Sequence, residues 1–233
     1  MKPHKVFAVF AGLALIGSTA LAQSKPTVAV LPFNNGATGR ANDELGPLSK
    51  GIQDILTNEL AVNSAIRVVE RDQVQRILEE QKLSTGGAVD KETAVKVGKL
   101  LGVHHMVAGG FITDRSQSMN LSVRVFNVET GEIEYTTSGV NKIDNLFALV
   151  NSVAGKINKG LKLPDIPKQL GDARTTQAEK VPYQAVMLYS RALNAKDAGK
   201  KAEAVMLFKQ TLDKFPQYEA ASNELKKLEK AGN

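Results

Sequence analysis

The chain contains no cysteine and no tryptophan, only three histidines, and 5% aromatic residues across 233 positions. Without cysteine it has no disulfide, no thiolate metal site, no thiol nucleophile and no lipid anchor on an N-terminal cysteine. Three histidines leave little for imidazole-based metal binding or acid–base work. Two of them, His104 and His105, are neighbours. Adjacent residues on a strand point to opposite faces, so this pair cannot easily share one metal, and a role at a strand entry is expected. After the first 22 residues no apolar run is long enough to span a bilayer.

What is present begins with an export pattern. Lys2, His4 and Lys5 precede an apolar run from Val6 to Ile16, and Ala20-Leu21-Ala22 forms a small-residue exit. Residues 1–22 are therefore expected to be a secretory signal peptide, with Gln23 the new N-terminus, and the product to be soluble in a bacterial periplasm. The whole chain carries a formal charge of +6. Residues 23–162 hold 16 basic and 15 acidic side chains, and residues 163–233 hold 12 and 9. Neither part has the dense basic footprint of a nucleic-acid binder. An apolar share of 42% supports a packed core held together without covalent help.

Residues 23–162 read as alternating strands and helices. Thr27 to Phe33 is a near-continuous apolar run, the pattern of a strand buried on both faces. A polar, Gly-rich loop spans Asn34 to Gly46. Leu48, Ile52, Ile55, Leu56 and Leu60 then recur at helical spacing and predict an amphipathic helix over 47–62. Ile66 to Val69 is a short strand. Asp72 opens a helix carrying Val74, Ile77 and Leu78, which Ser84-Thr85-Gly86-Gly87 breaks. Asp90 is placed to cap a helix ending near Leu101, with Gly102 as its left-handed terminator.

From His105 the period becomes two. Strands are expected over 105–112 and 119–125, then a turn at Glu129-Thr130-Gly131-Glu132 and a return strand over 133–140. Leu146, Val150, Val153, Ile157 and Leu161 mark a closing helix over 144–161. The order β-α-β-α-α-β-β-β-α predicts an α/β fold, a mixed-sheet α/β sandwich.

Several of these segments, taken in order, resemble the CsgG family, named for the outer-membrane curli secretion channel. They are the opening strand VAVLPF, the stretch Ile66 to Gln73 with the helix ending Leu78-Glu79-Glu80-Gln81, the strand around Met106 to Gly110, and the hairpin RVFNVETGEI. The resemblance covers about residues 26–162. Related folds occur in the N-terminal domain of TolB-like proteins and in lipoprotein activators of penicillin-binding proteins. Two features depart from the family's channel members, which are anchored through a cysteine and carry long insertions that form transmembrane hairpins. Here cysteine is missing and the corresponding connection is only Thr113 to Ser118. Spanning strands need roughly 9–11 residues each, so a pore is not expected.

Residues 163–180, with Pro164 and Pro167, show no sustained period and read as a linker. Residues 181–233 predict three helices: from Pro182 to Ala198, from Ala202 to Phe215, and from Tyr218 to Lys230. Ala204, Phe208 and Pro216 resemble the back half of a tetratricopeptide (TPR) repeat, while Arg191 and Ala195 depart from its front half. A single repeat needs a neighbour to bury its face. The third helix is expected to act as that cap, the alternative being docking on the first domain or on another chain.

No catalytic constellation stands out. Asn34 to Arg40 lacks the Gly-Lys-Ser/Thr that a phosphate loop requires, and Glu79-Glu80 reads as a solvated helix face. Glu70-Arg71 is expected to hold a strand-to-helix junction by polar contacts, with partner binding as the alternative. Lys196, Lys200 and Lys201 crowd a helix–helix turn, solvated or else docking acidic peptides or anionic headgroups. The expectation is therefore a non-enzymatic periplasmic protein of the cell envelope, without cofactor or metal. It would bind envelope proteins, and a second copy of itself in one version, through a sheet edge or the TPR-like surface. The alternative is a subunit of a curli-type outer-membrane secretion apparatus.

Overall fold

The computed structural model describes residues 25–37, 40–83 and 90–230. The expected signal peptide and the Ser84-Thr85-Gly86-Gly87 helix breaker lie outside the described residues.

The sheet is mixed and starts from β1 (Thr27–Val30), which is wholly buried. The strand ends earlier than its apolar run because Pro32 has no N–H to extend a ladder. Leu31 still donates to the Val107 carbonyl (2.8 Å), but Phe33 N–H turns to Ser49 (3.1 Å). β2 (Asn34–Asn35) and α1 (Arg40–Leu45) fall within the expected loop. They are followed by α2 (Leu48–Ala61), β3 (Arg67–Val68), α3 (Arg71–Glu80) and α4 (Lys91–Leu101). Asp90 Oδ1 accepts the Thr93 N–H at 2.6 Å, and Gly102 closes α4 at φ 64°, so both ends of that helix are as its sequence predicts.

β4 (His105–Thr113), β5 (Ser118–Asn127) and β6 (Ile133–Lys142) form an antiparallel meander. β1 is parallel to both β3 and β4, giving the order β3-β1-β4-β5-β6, with β2 pairing β4 alongside β1. A short 3-10 turn leads into α5 (Leu146–Gly160). The fold is α/β with an all-helical C-terminal region, as predicted.

Each sheet face has its own core. On one, Val28, Val30, Val107, Leu121 and Val123 meet α2 and α5. On the other, Ala29, Leu31, Met106 and Phe126 meet Val74 and Leu78 of α3 and Ala94 and Val97 of α4.

The C-terminal region departs from its reading in two ways. Residues 163–180 are not an irregular linker: they hold α6 (Lys168–Ala178). Only Ala178 of this helix is buried, so it has almost no apolar stripe to announce it. Helices α7 (Tyr183–Asp197), α8 (Lys201–Lys214) and α9 (Glu219–Lys230) follow. α9 lies on α8, yet the unit is not closed on itself. α7 packs along α2, and Ala185, Tyr189, Leu193 and Phe208 join the same apolar cluster as Val28 and Ile52. The layers are therefore α3/α4, sheet, α2/α5, and then the α7–α9 tail.

Candidate functional site

Packing α7 on α2 buries a helix face that reads as solvent-facing. Gln53, Asp54, Thr57 and Glu59 are all buried, and each polar group needs a partner. Gln53 Nε2 donates to the Val30 carbonyl (2.8 Å), and Thr57 Oγ1 to Gln53 (2.8 Å). Asp54 Oδ2 accepts from Tyr189 of α7 (2.6 Å) and from Asn58 (2.9 Å). Glu59 accepts from Asn151 of α5 (2.6 Å) and from Arg174 of α6. Gly51 lets the helices approach: a Cβ there would fall on Ser190 Oγ, which is itself bonded to the Val186 carbonyl.

An ion-pair network runs along the same seam. Arg71 is 3% exposed. Its Nη1 and Nη2 donate to the two Asp197 oxygens (2.9 and 3.0 Å), and Nη2 also reaches Asp72 (2.7 Å). Its Nε lies 3.7 Å from Asp54. Lys50 adds a second cation to Asp197 (2.6 Å). Lys196 donates to Asp72 (2.7 Å) and to Glu224 of α9, which also accepts from Lys227 (2.8 Å). The cluster joins α2, α3, α7 and α9.

Its electrostatics follow from burial and pairing. Desolvation dominates at Asp54 and raises its pKa from 3.8 to about 6, against the opposing Tyr189 hydrogen bond and Arg71 charge. At Arg71 burial opposes the charge, but the Asp197 hydrogen bonds and the surrounding carboxylates outweigh it and raise the pKa further. At Asp72 burial is likewise outweighed, by the Lys196 hydrogen bond and the Arg71 charge, and the pKa is lowered.

Arg71 and Lys196, for which partner binding was the alternative expectation, thus belong to one seam. Arg71 does hold its junction by polar contacts, but its partners come from the tail as well as from α3. Glu70 stays exposed beside a cleft of about 420 Å³ that Lys226, Lys227 and Lys230 also line. Lys200 is exposed with Glu203 3.6 Å away, and Lys201 is exposed. His104 Nδ1 accepts the Thr27 N–H (3.1 Å), while His105 contacts Glu134, so the two rings are engaged at the strand entry. Among the described residues no group of three or more His, Asp or Glu could hold a metal ion.

The residues missed from the sequence are Asp54, Glu59, Asp197 and Arg174, together with the pairing of the inward-facing Tyr189 to Asp54. The one local signal was Asp54 and Glu59 interrupting an otherwise strong apolar helix.

The two edges of the sheet differ in length, β6 being ten residues long. β3 has two residues. On β6, Lys156 donates to the Ser138 carbonyl (2.7 Å) and Asn141 takes the Lys142 N–H (2.8 Å). These contacts occupy one carbonyl and one N–H of that ten-residue edge strand.

Fold and seam together define a mixed-sheet α/β domain locked to a helical tail. Residues 10–116 match the protein family described as curli production assembly/transport component CsgG. No curated protein sequence matches the chain. Among solved structures, the LpoB C-terminal domain from Salmonella enterica is similar at 17% identity and TM-score 0.38, over 51% of this chain and 83% of that one. The PelC dodecamer from Paraburkholderia phytofirmans is similar at 12% identity and TM-score 0.38, over 63% and 93%. TolB from Acinetobacter baumannii is similar at 14% identity and TM-score 0.38, over 59% and 28%.

Proposed function

We propose that this is an exported, periplasmic, non-enzymatic interaction protein of the cell envelope, serving envelope, secretion or surface-structure assembly. The family match over residues 10–116 carries this reading, because the family is described by an assembly and transport role. The CsgG-like domain and the TPR-like tail would act as one rigid binding body, since a shared core and a buried ion-pair seam join them. Recognition would use the ten-residue β6 edge or the helical surface of the molecule. Glu70, Lys200 and Lys201 remain on that surface, while Arg71 and Lys196 support it from within.

The second reading, a subunit of a curli-type outer-membrane secretion apparatus, draws on the same family description. The connections oppose it: residues 114–117 join β4 to β5, and residues 143–145 join β6 to α5. Neither could hold spanning strands of roughly 9–11 residues.

The test is fractionation of cells making the full-length protein, with a photo-crosslinking amino acid at position 70, 200 or 201. The expected result is a shortened product in the periplasm, with discrete adducts to envelope proteins or to a second copy. A cytoplasmic product of full mass would refute export, and a periplasmic product without adducts would refute the binding role. Detergent-dependent rings that conduct ions in planar bilayers would establish the second reading instead.

A further inference from the structure

The α6 helix stands off the tail and leaves a groove between itself and α9. At its inner end lies a pocket of about 280 Å³, with Ile55, Phe147, Val181 and Phe215 among its apolar walls. That volume is at the lower end of ligand pockets, the size for one large side chain and not a whole cofactor. The Glu59–Arg174 pair closes one side. Arg174 Nε is buried there without a hydrogen-bond partner, and so is the Tyr218 hydroxyl.

The pocket opens into the groove, because Gln177, Gln217, Glu219 and Asn223 line both. The side-chain amides of Gln177, Gln217 and Asn223 make no hydrogen bond to the described residues. Each offers a donor and an acceptor on a planar amide, the complement of a peptide group. Lys180 and Lys226 also line the groove, neither ion-paired among the described residues, and they outnumber its one acid, Glu219. An apolar pocket, backbone-matching amides and cations therefore line one continuous groove.

We propose that the α6–α9 groove docks an extended segment of a partner protein that buries one large apolar side chain in the pocket and carries acidic residues beside it. The buried anchor supplies the affinity, the amides fix the backbone and the lysines select the flanks. This deepens the proposed function and rests on its interaction reading.

The test is a nitrogen-15 NMR titration of the full-length protein with capped pentapeptides. A probe with a central phenylalanine and four acidic flanks is expected to shift the amides of residues 174–181 and 215–223. It should bind at least tenfold more tightly than the same peptide with central serine or with lysine flanks. Gln177→Ala with Asn223→Ala, both at the groove surface, should weaken binding at least fivefold while leaving the rest of the spectrum in place. Lys226→Glu should weaken it and improve the lysine-flanked peptide. Absence of shifts at millimolar peptide would overturn the proposal, as would equal binding of the serine peptide. If N-acetylphenylalanine amide alone bound as tightly as the pentapeptide, the pocket would be a small-molecule site and the docking groove refuted. Crosslinks at position 70, 200 or 201 persisting after any of these failures would keep the broader function and reject only this groove.

Discussion

At the scale of single residues, Asp54 is the most consequential position. It sits between Tyr189, Asn58 and Arg71, with Asp72 and Glu224 also acting on it. Burial raises its pKa from 3.8 to about 6, so the folded protein holds this proton more tightly than the unfolded chain does. The contribution is fully present below the unfolded value and is lost as pH rises through about 6. Asp72, with its lowered pKa, works in the opposite sense, and its contribution disappears only on the acid side of the usual carboxylate range. Stability measured by urea denaturation should therefore rise as pH falls from 7 to 5. Asp54→Asn, which keeps hydrogen-bonding capacity but cannot titrate, should flatten the profile over that window. Identical slopes for the two proteins would show that Asp54 does not titrate there. Neither the burial of Asp54 nor its pairing with Tyr189 was legible in the local sequence, because Tyr189 lies 135 residues away.

At the scale of elements, α2 explains why a correct secondary-structure reading missed its role. Its apolar stripe was plain, and the helix formed at the expected place. The opposite face, with Gln53, Asp54, Thr57 and Glu59, had the composition of a solvated surface, and only α7 and α6 arriving on it reveal paired groups. Gly51 is the clearest case. In a helix interior alanine is better than glycine by about 1 kcal/mol, so a local argument predicts that Gly51→Ala stabilises the protein. Here the new methyl would meet Ser190, whose hydroxyl is fixed to Val186. Separating two packed helices costs about 1–3 kcal/mol, enough to reverse the sign. Thermal melting should show a lower Tm for Gly51→Ala, and Gly51→Ala with Ser190→Ala should recover part of the loss. α6 is the complementary failure: with one buried residue and its anchor, Arg174, paired to Glu59 on another helix, it left no periodic trace.

At the scale of the whole molecule, tail and α/β domain share one apolar cluster and one ion-pair network centred on the buried Arg71–Asp197 pair. The protein should consequently unfold in a single cooperative transition by calorimetry, with calorimetric and van't Hoff enthalpies in agreement. Two resolved transitions would mean that the tail is an independent unit. The sequence by itself determined the α/β class, the order of the strands and helices apart from β2, α1 and α6, the capped ends of α4, and a resemblance to the CsgG family. Those features depend on contacts a few residues apart and on periodicities of 2 and 3.6, which a linear reading captures. Only the tertiary structure decided that the tail docks in cis, that residues 163–180 hold a helix, that Arg71 and Lys196 are committed to an internal seam, and where an open groove remains. Those outcomes rest on pairs such as Arg71 with Asp197, separated by 126 positions. A charged residue bound for such a partner looks, in its own neighbourhood, the same as one bound for water.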